Sequence, residues 1–274
     1  MSKRETGFSL NTQFSILVLL MMVPSLILLV FSLWILSGER RDIQIARQGL
    51  ATIETFERLL QPDLDDPQAD HAAFAATLDR VVAGLSDDQR DEFASRIEAL
   101  RADPSFLLTV ELVQSLTFSA ARQVELEAST PNSGVALPAL IKTQLLETVA
   151  QTQRTTEVMR DMVARNEFNQ WDRMAVPVQA GQFKMMADTV GQATRDHFGA
   201  DQKRFDAAII AQAEAYRRAN QAMQAAFGAQ VSLMPAALSG EDLRVEAINA
   251  ANAEMIATTL EFWRQAVAQL TREL

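Results

Sequence analysis

"IKTQLLETVAQTQRTTEVMRDM", residues 141–162, is the stretch whose reading decides the fold. Alternating steps of four and three residues pick out Ile141, Leu145, Thr148, Thr152, Thr155, Met159 and Met162. That spacing keeps side chains on one face of a helix. The face is oily at both ends and threonine in the middle. A stripe this narrow is made to meet other helices. A helix is predicted over about 138–166.

The same rule works outward in both directions. A long helical run over 180–227, with a break near Phe198–Asp201, gives Phe205, Ile209, Gln212, Tyr216, Ala219 and Met223. A last helix over about 240–273, capped near Ser239, gives Ile248, Asn252, Met255, Thr259 and Phe262. Upstream, "DPSF" (103–106) opens a helix, with Asp103 as cap and Pro104 in the first turn, and contributes Thr117. Shorter helices are expected at 68–84 and 87–102, the second capped by Ser86. An earlier helix carries Ile43, Ala46, Leu50, Ile53, Phe56 and Leu60.

Breaks fall at "QPDLDDPQAD" (61–70), at "STPNSGVALP" (129–138) and in the less regular "NEFNQWDRMAVPVQAGQF" (166–183), which holds Pro177 and Gly181. No repeat and no strand-like alternation is found. The fold class expected is all-α: one antiparallel bundle, or two four-helix bundles stacked along shared long helices, behind an N-terminal transmembrane helix.

Composition agrees with helix. The chain is 48% hydrophobic and only 7% aromatic, with one tyrosine. The net charge is −10. Lys3, Arg4 and Glu5 are the only charges before residue 37, so the body is more acidic still. An acidic body lacks the basic footprint of a nucleic-acid binder. There is no cysteine, which excludes disulfides, thiolate metal sites and cysteine nucleophiles.

"FSILVLLMMVPSLILLVFSLWIL", residues 14–36, is uncharged and apolar all round. As a helix it spans roughly 34 Å, enough for a hydrocarbon core of ~30 Å. It exceeds a signal-peptide core and shows no A-x-A-like cleavage site. It is therefore predicted to be an uncleaved membrane anchor. That divides the chain into a cytoplasmic tail (1–13), a transmembrane helix (14–36) and an extracytoplasmic body (38–274). The placement is the inner membrane, with the body periplasmic.

Polar residues in mid-stripe admit two readings. Threonine packs by its methyl and bonds the carbonyl one turn back, with Gln and Tyr at the rim. Alternatively these groups line a polar ligand cavity between helices. Under the second reading the ligand-binding candidates are Thr117, Thr148, Thr152, Arg154, Thr155, Gln212 and Tyr216. Arg154, Arg160, Arg165 and Arg173 cluster near the end of one helix, where guanidinium forks suit either an anion or a neighbouring carboxylate. His71 and His197 lack partners at metal-ligand spacing, and the acids of 61–70 lack the EF-hand pattern. No nucleophile–base signature or phosphate loop is present. No metal, cofactor or enzymatic activity is expected.

Three stretches carry a resemblance. "ERRDIQIARQGLATIETFERLL" (39–60) looks like the segment leaving the first membrane helix of bacterial transmembrane receptors. "STPNSGVALPALIKTQLLETVAQ" (129–151) is similar to the loop before a Leu-Pro-initiated helix in them. "WRQAVAQLTREL" (263–274) looks like the helix feeding a second span. The chain thus resembles the input region of chemoreceptors, sensor kinases and diguanylate cyclases, with a length closer to helical bimodular sensors. "AQTQRTT" (150–156) matches nitrate-sensing helical domains only in part. The resemblance implies a homodimeric sensor binding a small molecule or anion between helices and signalling by helix displacement. The alternative is a single-pass, membrane-anchored helical interaction protein of the cell envelope that senses nothing.

Overall fold

The computed structural model describes residues 43–61, 64–66, 69–123, 136–165, 170–200, 205–233 and 245–273. Eight helices make up the described regular structure, and no strand is found among the described residues. They are α1 (43–56, ending in a 3-10 turn Glu57–Leu59), α2 (His71–Gly84), α3 (Asp87–Ala102) and α4 (Phe106–Gln123). Then come α5 (Ala136–Ala139, a π turn Leu140–Gln144, and Leu145–Arg165), α6 (Gln170–Ala200), α7 (Ala207–Leu233) and α8 (Val245–Glu273).

Local chemistry sets the helix starts. Asp70 accepts from the Ala73 N–H at the head of α2. Ser86 and Gln89 form a reciprocal capping box on α3. For α4 the expected Asp103 cap is corrected: Asp103 closes α3, and Ser105 accepts from the Leu108 N–H instead. Asp65 adds a second acceptor at this end, for the Phe106 N–H at 2.8 Å. The irregular passage expected over 166–183 is also corrected. From Gln170 the helix runs straight through Pro177 and Gly181. Pro177 is exposed, so its ring and missing donor fall on the solvent side, where water can serve the freed carbonyl.

Helices α5 to α8 form an antiparallel four-helix bundle in which each packs on the next and α8 closes back on α5. Gln151 to Gln179 joins α5 and α6; Phe183 against Phe227 joins α6 and α7; Gln212 to the Thr258 carbonyl joins α7 and α8. The mid-stripe residues face inward, as the 4,3 spacing requires: Ile141, Leu145, Thr148, Thr152, Thr155, Met159 and Met162 are all buried.

The N-terminal helices lie alongside this bundle. Helix α4 packs on α5 through Arg154–Glu111 and Gln114–Glu147, and α1 reaches α8 through Arg264–Glu57 at 2.7 Å. Helices α2 and α3 cover them from outside, held by Arg101–Asp79 and by Arg96 donating to Ser115. Residues 46–274 form one compact unit. The expectation of two bundles stacked along shared helices is therefore corrected.

The membrane part of the expected fold class is corrected as well. Among the described residues no helix is long and apolar enough to cross a membrane. The run 14–36 lies outside the described residues, as do the loop at 129–135 and the cap at Ser239. The described residues thus supply no membrane helix, and the inner-membrane placement with a periplasmic body is not retained.

Candidate functional site

The threonine candidates of α5 resolve into helix-internal chemistry. Thr148, Thr152 and Thr155 are buried, and their hydroxyls donate to the carbonyls of Gln144 (2.8 Å), Thr148 (2.6 Å) and Gln151 (2.7 Å). Thr156 does the same to Thr152 at 3.0 Å. Each hydroxyl proton is committed one turn back, as the first of the two readings holds for threonine; its placing of tyrosine at the rim is corrected, since Tyr216 is fully buried. Gln212 gives its amide to the Thr258 carbonyl at 2.9 Å.

Arg154 lies on the α4–α5 seam and forks between Glu111 (2.6 Å) and Glu147 (3.2 Å). Partial burial disfavours its charge, but the hydrogen bonds and charges of the two glutamates outweigh that and raise its pKa. Tyr216 is fully buried, with Thr148 as a hydrogen-bonding neighbour and the Ala187 carbonyl at 3.5 Å. Burial pushes its phenol well above the usual tyrosine range. Thr117 is buried on α4, away from the bundle's axis, and its hydroxyl has no partner among the described residues.

None of the candidates lines a groove among the described residues. The described grooves run between α1 and α2, between α1 and α8, and between α6 and α7, and other residues line them. The expectation of a small solute or anion held between bundle helices is corrected. Among the described residues, no group of three or more His, Asp or Glu side chains is placed to hold a metal ion.

A different feature stands out on the outer face of α6. Trp171, Met174, Val178 and Met185 are 77%, 54%, 54% and 66% exposed. Their spacing of three, four and seven residues puts them in one stripe, opposite the buried Val176, Phe183, Ala187 and Val190. Gly181 sits within the stripe, and a side chain there would meet open space. On the antiparallel neighbour α7, Ala222, Ala225 and Ala229 are exposed.

The face is held rigidly from below. At the top, Asp172 is buried and accepts from Arg165 at 2.7 Å, fixing the first turn of α6 to the end of α5. On the α6–α7 seam, Lys184 donates to Asp188 (2.9 Å) and to Gln224 (3.2 Å). Gln224 in turn donates to Asp188 and to Asn220, both at 2.9 Å. The Lys184 hydrogen bond is the main reason that the Asp188 carboxyl lies below the usual carboxylate range, against the opposing effect of burial. Beneath this network Phe183 meets Phe227 edge-on, centroids 5.2 Å apart.

Further along the same two helices the face turns basic. Arg195, Arg217 and Arg218, with Asp188, Gly191, Glu214, Asn220, Gln221 and Gln224, line an open groove of about 570 Å³. Glu214 lies 3.7 Å from Arg217, and Arg195 donates to Gln192. Arg218 makes no ion pair among the described residues.

None of these face residues was singled out by the sequence. The signal existed as W-x2-M-x3-V-x6-M, but Pro177 and Gly181 read as breakers and hid the period.

Fold and site together define an all-α helical-bundle domain with an apolar outer face that runs into a basic groove. No protein-family model, curated protein or solved structure matches the chain. The resemblance to receptor input regions is thereby corrected. It rested on helical composition and loose local likeness, which any alanine- and leucine-rich bundle reproduces. The homodimeric state implied by it falls with it. So do both functions framed on a membrane anchor, the sensor and the single-pass envelope protein.

Proposed function

We propose that this domain docks an α-helix of another protein on the outer face of α6 and α7, working by binding and not by catalysis. The observation that carries this is the stripe of Trp171, Met174, Val178 and Met185. Large apolar groups scattered singly on a surface need no explanation, but four in helical register do. Covering such a side chain fully is worth roughly 1.5–3 kcal/mol. Anchors at three- and four-residue steps are how one helix grips another along a groove. Gly181 within the stripe leaves room for a partner side chain, while Trp171 and the two methionines supply large, adaptable contact area.

The stripe is about 21 Å long, which matches a partner helix of about four turns. The test is a display selection of random amphipathic helical peptides against the full chain, with counter-selection on Met174→Glu/Val178→Glu. Peptides that carry an apolar i, i+3, i+7 face, bind wild type and lose at least tenfold on the double variant are expected. Selected peptides that bind both proteins equally, or no enrichment at all, overturn the reading.

A further inference from the structure

We infer that the partner helix carries a cluster of carboxylates beyond its apolar face, received by Arg195, Arg217 and Arg218. The inference rests on the docking reading and specifies the chemistry of the occupant. The groove lies further along the same helix, on its α7 side: Asp188 lines it one turn after Met185, and Arg195 lies about 15 Å beyond Met185 along α6. A helix seated on the stripe and extended by three turns reaches it.

The charge there is opposite to that of the chain. The protein's net charge is −10, yet this groove gathers three guanidiniums against two carboxylates. Those carboxylates are partly committed. Asp188 is held by Lys184 and Gln224, and Glu214 sits at the edge of reach of Arg217. Arg195 is bonded to the neutral Gln192, and Arg218 lines the groove and makes no ion pair among the described residues. Guanidinium forks match carboxylates in shape as well as sign, so the groove selects Asp or Glu over a merely polar side chain. Elsewhere an acidic surface repels an acidic helix, so the basic end also fixes the direction in which the partner lies.

The experiment uses the tightest peptide from the selection above and a twin with each Asp and Glu changed to Lys. Binding to the full chain is read by fluorescence anisotropy at low and high salt. The acidic peptide is expected to bind about tenfold tighter than its twin at low salt, with the gap closing at high salt. Arg195→Glu/Arg218→Glu is expected to reverse the order. Two peptides that bind wild type equally, or acids absent from every selected sequence, overturn this inference and leave the docking reading standing. A selection that yields no binder removes the docking reading itself. Light scattering covers the other occupant: a wild-type dimer that Met174→Glu makes monomeric assigns the face to a second copy and overturns the proposal. The peptide comparison needs no altered protein, so it decides the matter even if the arginine variant misfolds.

Discussion

Trp263 on α8 donates its indole N–H to the Ile141 carbonyl on α5 at 3.0 Å, across 122 residues of chain. Both residues are buried. The bond joins the first and last helices of the bundle at the π turn Leu140–Gln144. It gives the largest buried side chain among the described residues a partner for its one polar atom, as a buried tryptophan needs.

Trp263→Phe removes that donor and leaves a void beside the π turn. A loss of about 2–4 kcal/mol is expected from cavity and hydrogen bond together. Urea unfolding followed by far-UV circular dichroism measures it. A loss below 1 kcal/mol would mean that α8 is not closed on α5 as described.

The mid-stripe threonines provide a test of what their hydroxyls do. Thr152→Val keeps the packing methyl and deletes a hydroxyl that bonds only its own helix, so stability should change by less than about 1 kcal/mol in either direction. Thr152→Ser keeps the hydroxyl and deletes a buried methyl, costing about 1 kcal/mol. The reverse order in thermal melts would show that the hydroxyl has a partner outside α5.

Tyr216 is the single tyrosine, so its ionisation can be followed alone. Its folded pKa is raised by burial above the ordinary tyrosine value of about 10. The native state therefore holds its proton where the unfolded chain has begun to lose it. Stability is intact below pH 10 and falls as pH rises above it. Phenolate absorbance should appear only together with loss of helix, and Tyr216→Phe should flatten the alkaline decline. Phenolate formation in a still-folded protein would contradict the burial.

Glu157 sits beside Gln153, which bridges it to Asp65. Burial is the main cause of its raised pKa; the Gln153 hydrogen bond opposes this, and the nearby charge of Asp65 adds to it. A raised carboxyl means that the folded state binds more protons than the unfolded state just above the ordinary glutamate range. Stability contributed through this group is greatest at low pH and declines as pH rises through that window. Glu157→Gln should remove this component, leaving the variant at neutral pH as stable as wild type or more so. A variant clearly less stable at neutral pH would show that the charged form is favoured in the fold.

The two faces of α6 should respond oppositely. Met174→Glu touches nothing buried and should change stability by no more than about 0.5 kcal/mol. Phe183→Ala empties the space against Phe227 and should cost about 3–5 kcal/mol. Equal effects at the two positions, measured by chemical denaturation, would show that the stripe is not on the outside.

The legible parts of this protein are those set by short-range rules. The Ser86 cap and the stripe Ile141 to Met162 each follow from residues within a turn or two of one another. The misread parts depended on what a breaker meets in space. Pro177 stays inside α6 because it falls on the solvent side. Asp103 lost the α4 cap because it already closes α3, leaving Ser105 and the distant Asp65 to serve the new helix. The candidate site was hidden by the same error, since a stripe broken on paper by Pro177 and Gly181 shows no period.

By itself the sequence determined the all-α class, most helix boundaries and the inward faces of the bundle, because these depend on a period of 3.6 residues and on local caps. Only the tertiary structure decided that the mid-stripe threonines are spent on their own backbone. It alone showed that Arg154 is spent on two glutamates, and that the uncovered face lies on α6 and α7. Burial and exposure belong to pairs of helices, and a single helix's pattern states which side is oily without stating which oily group another helix will cover.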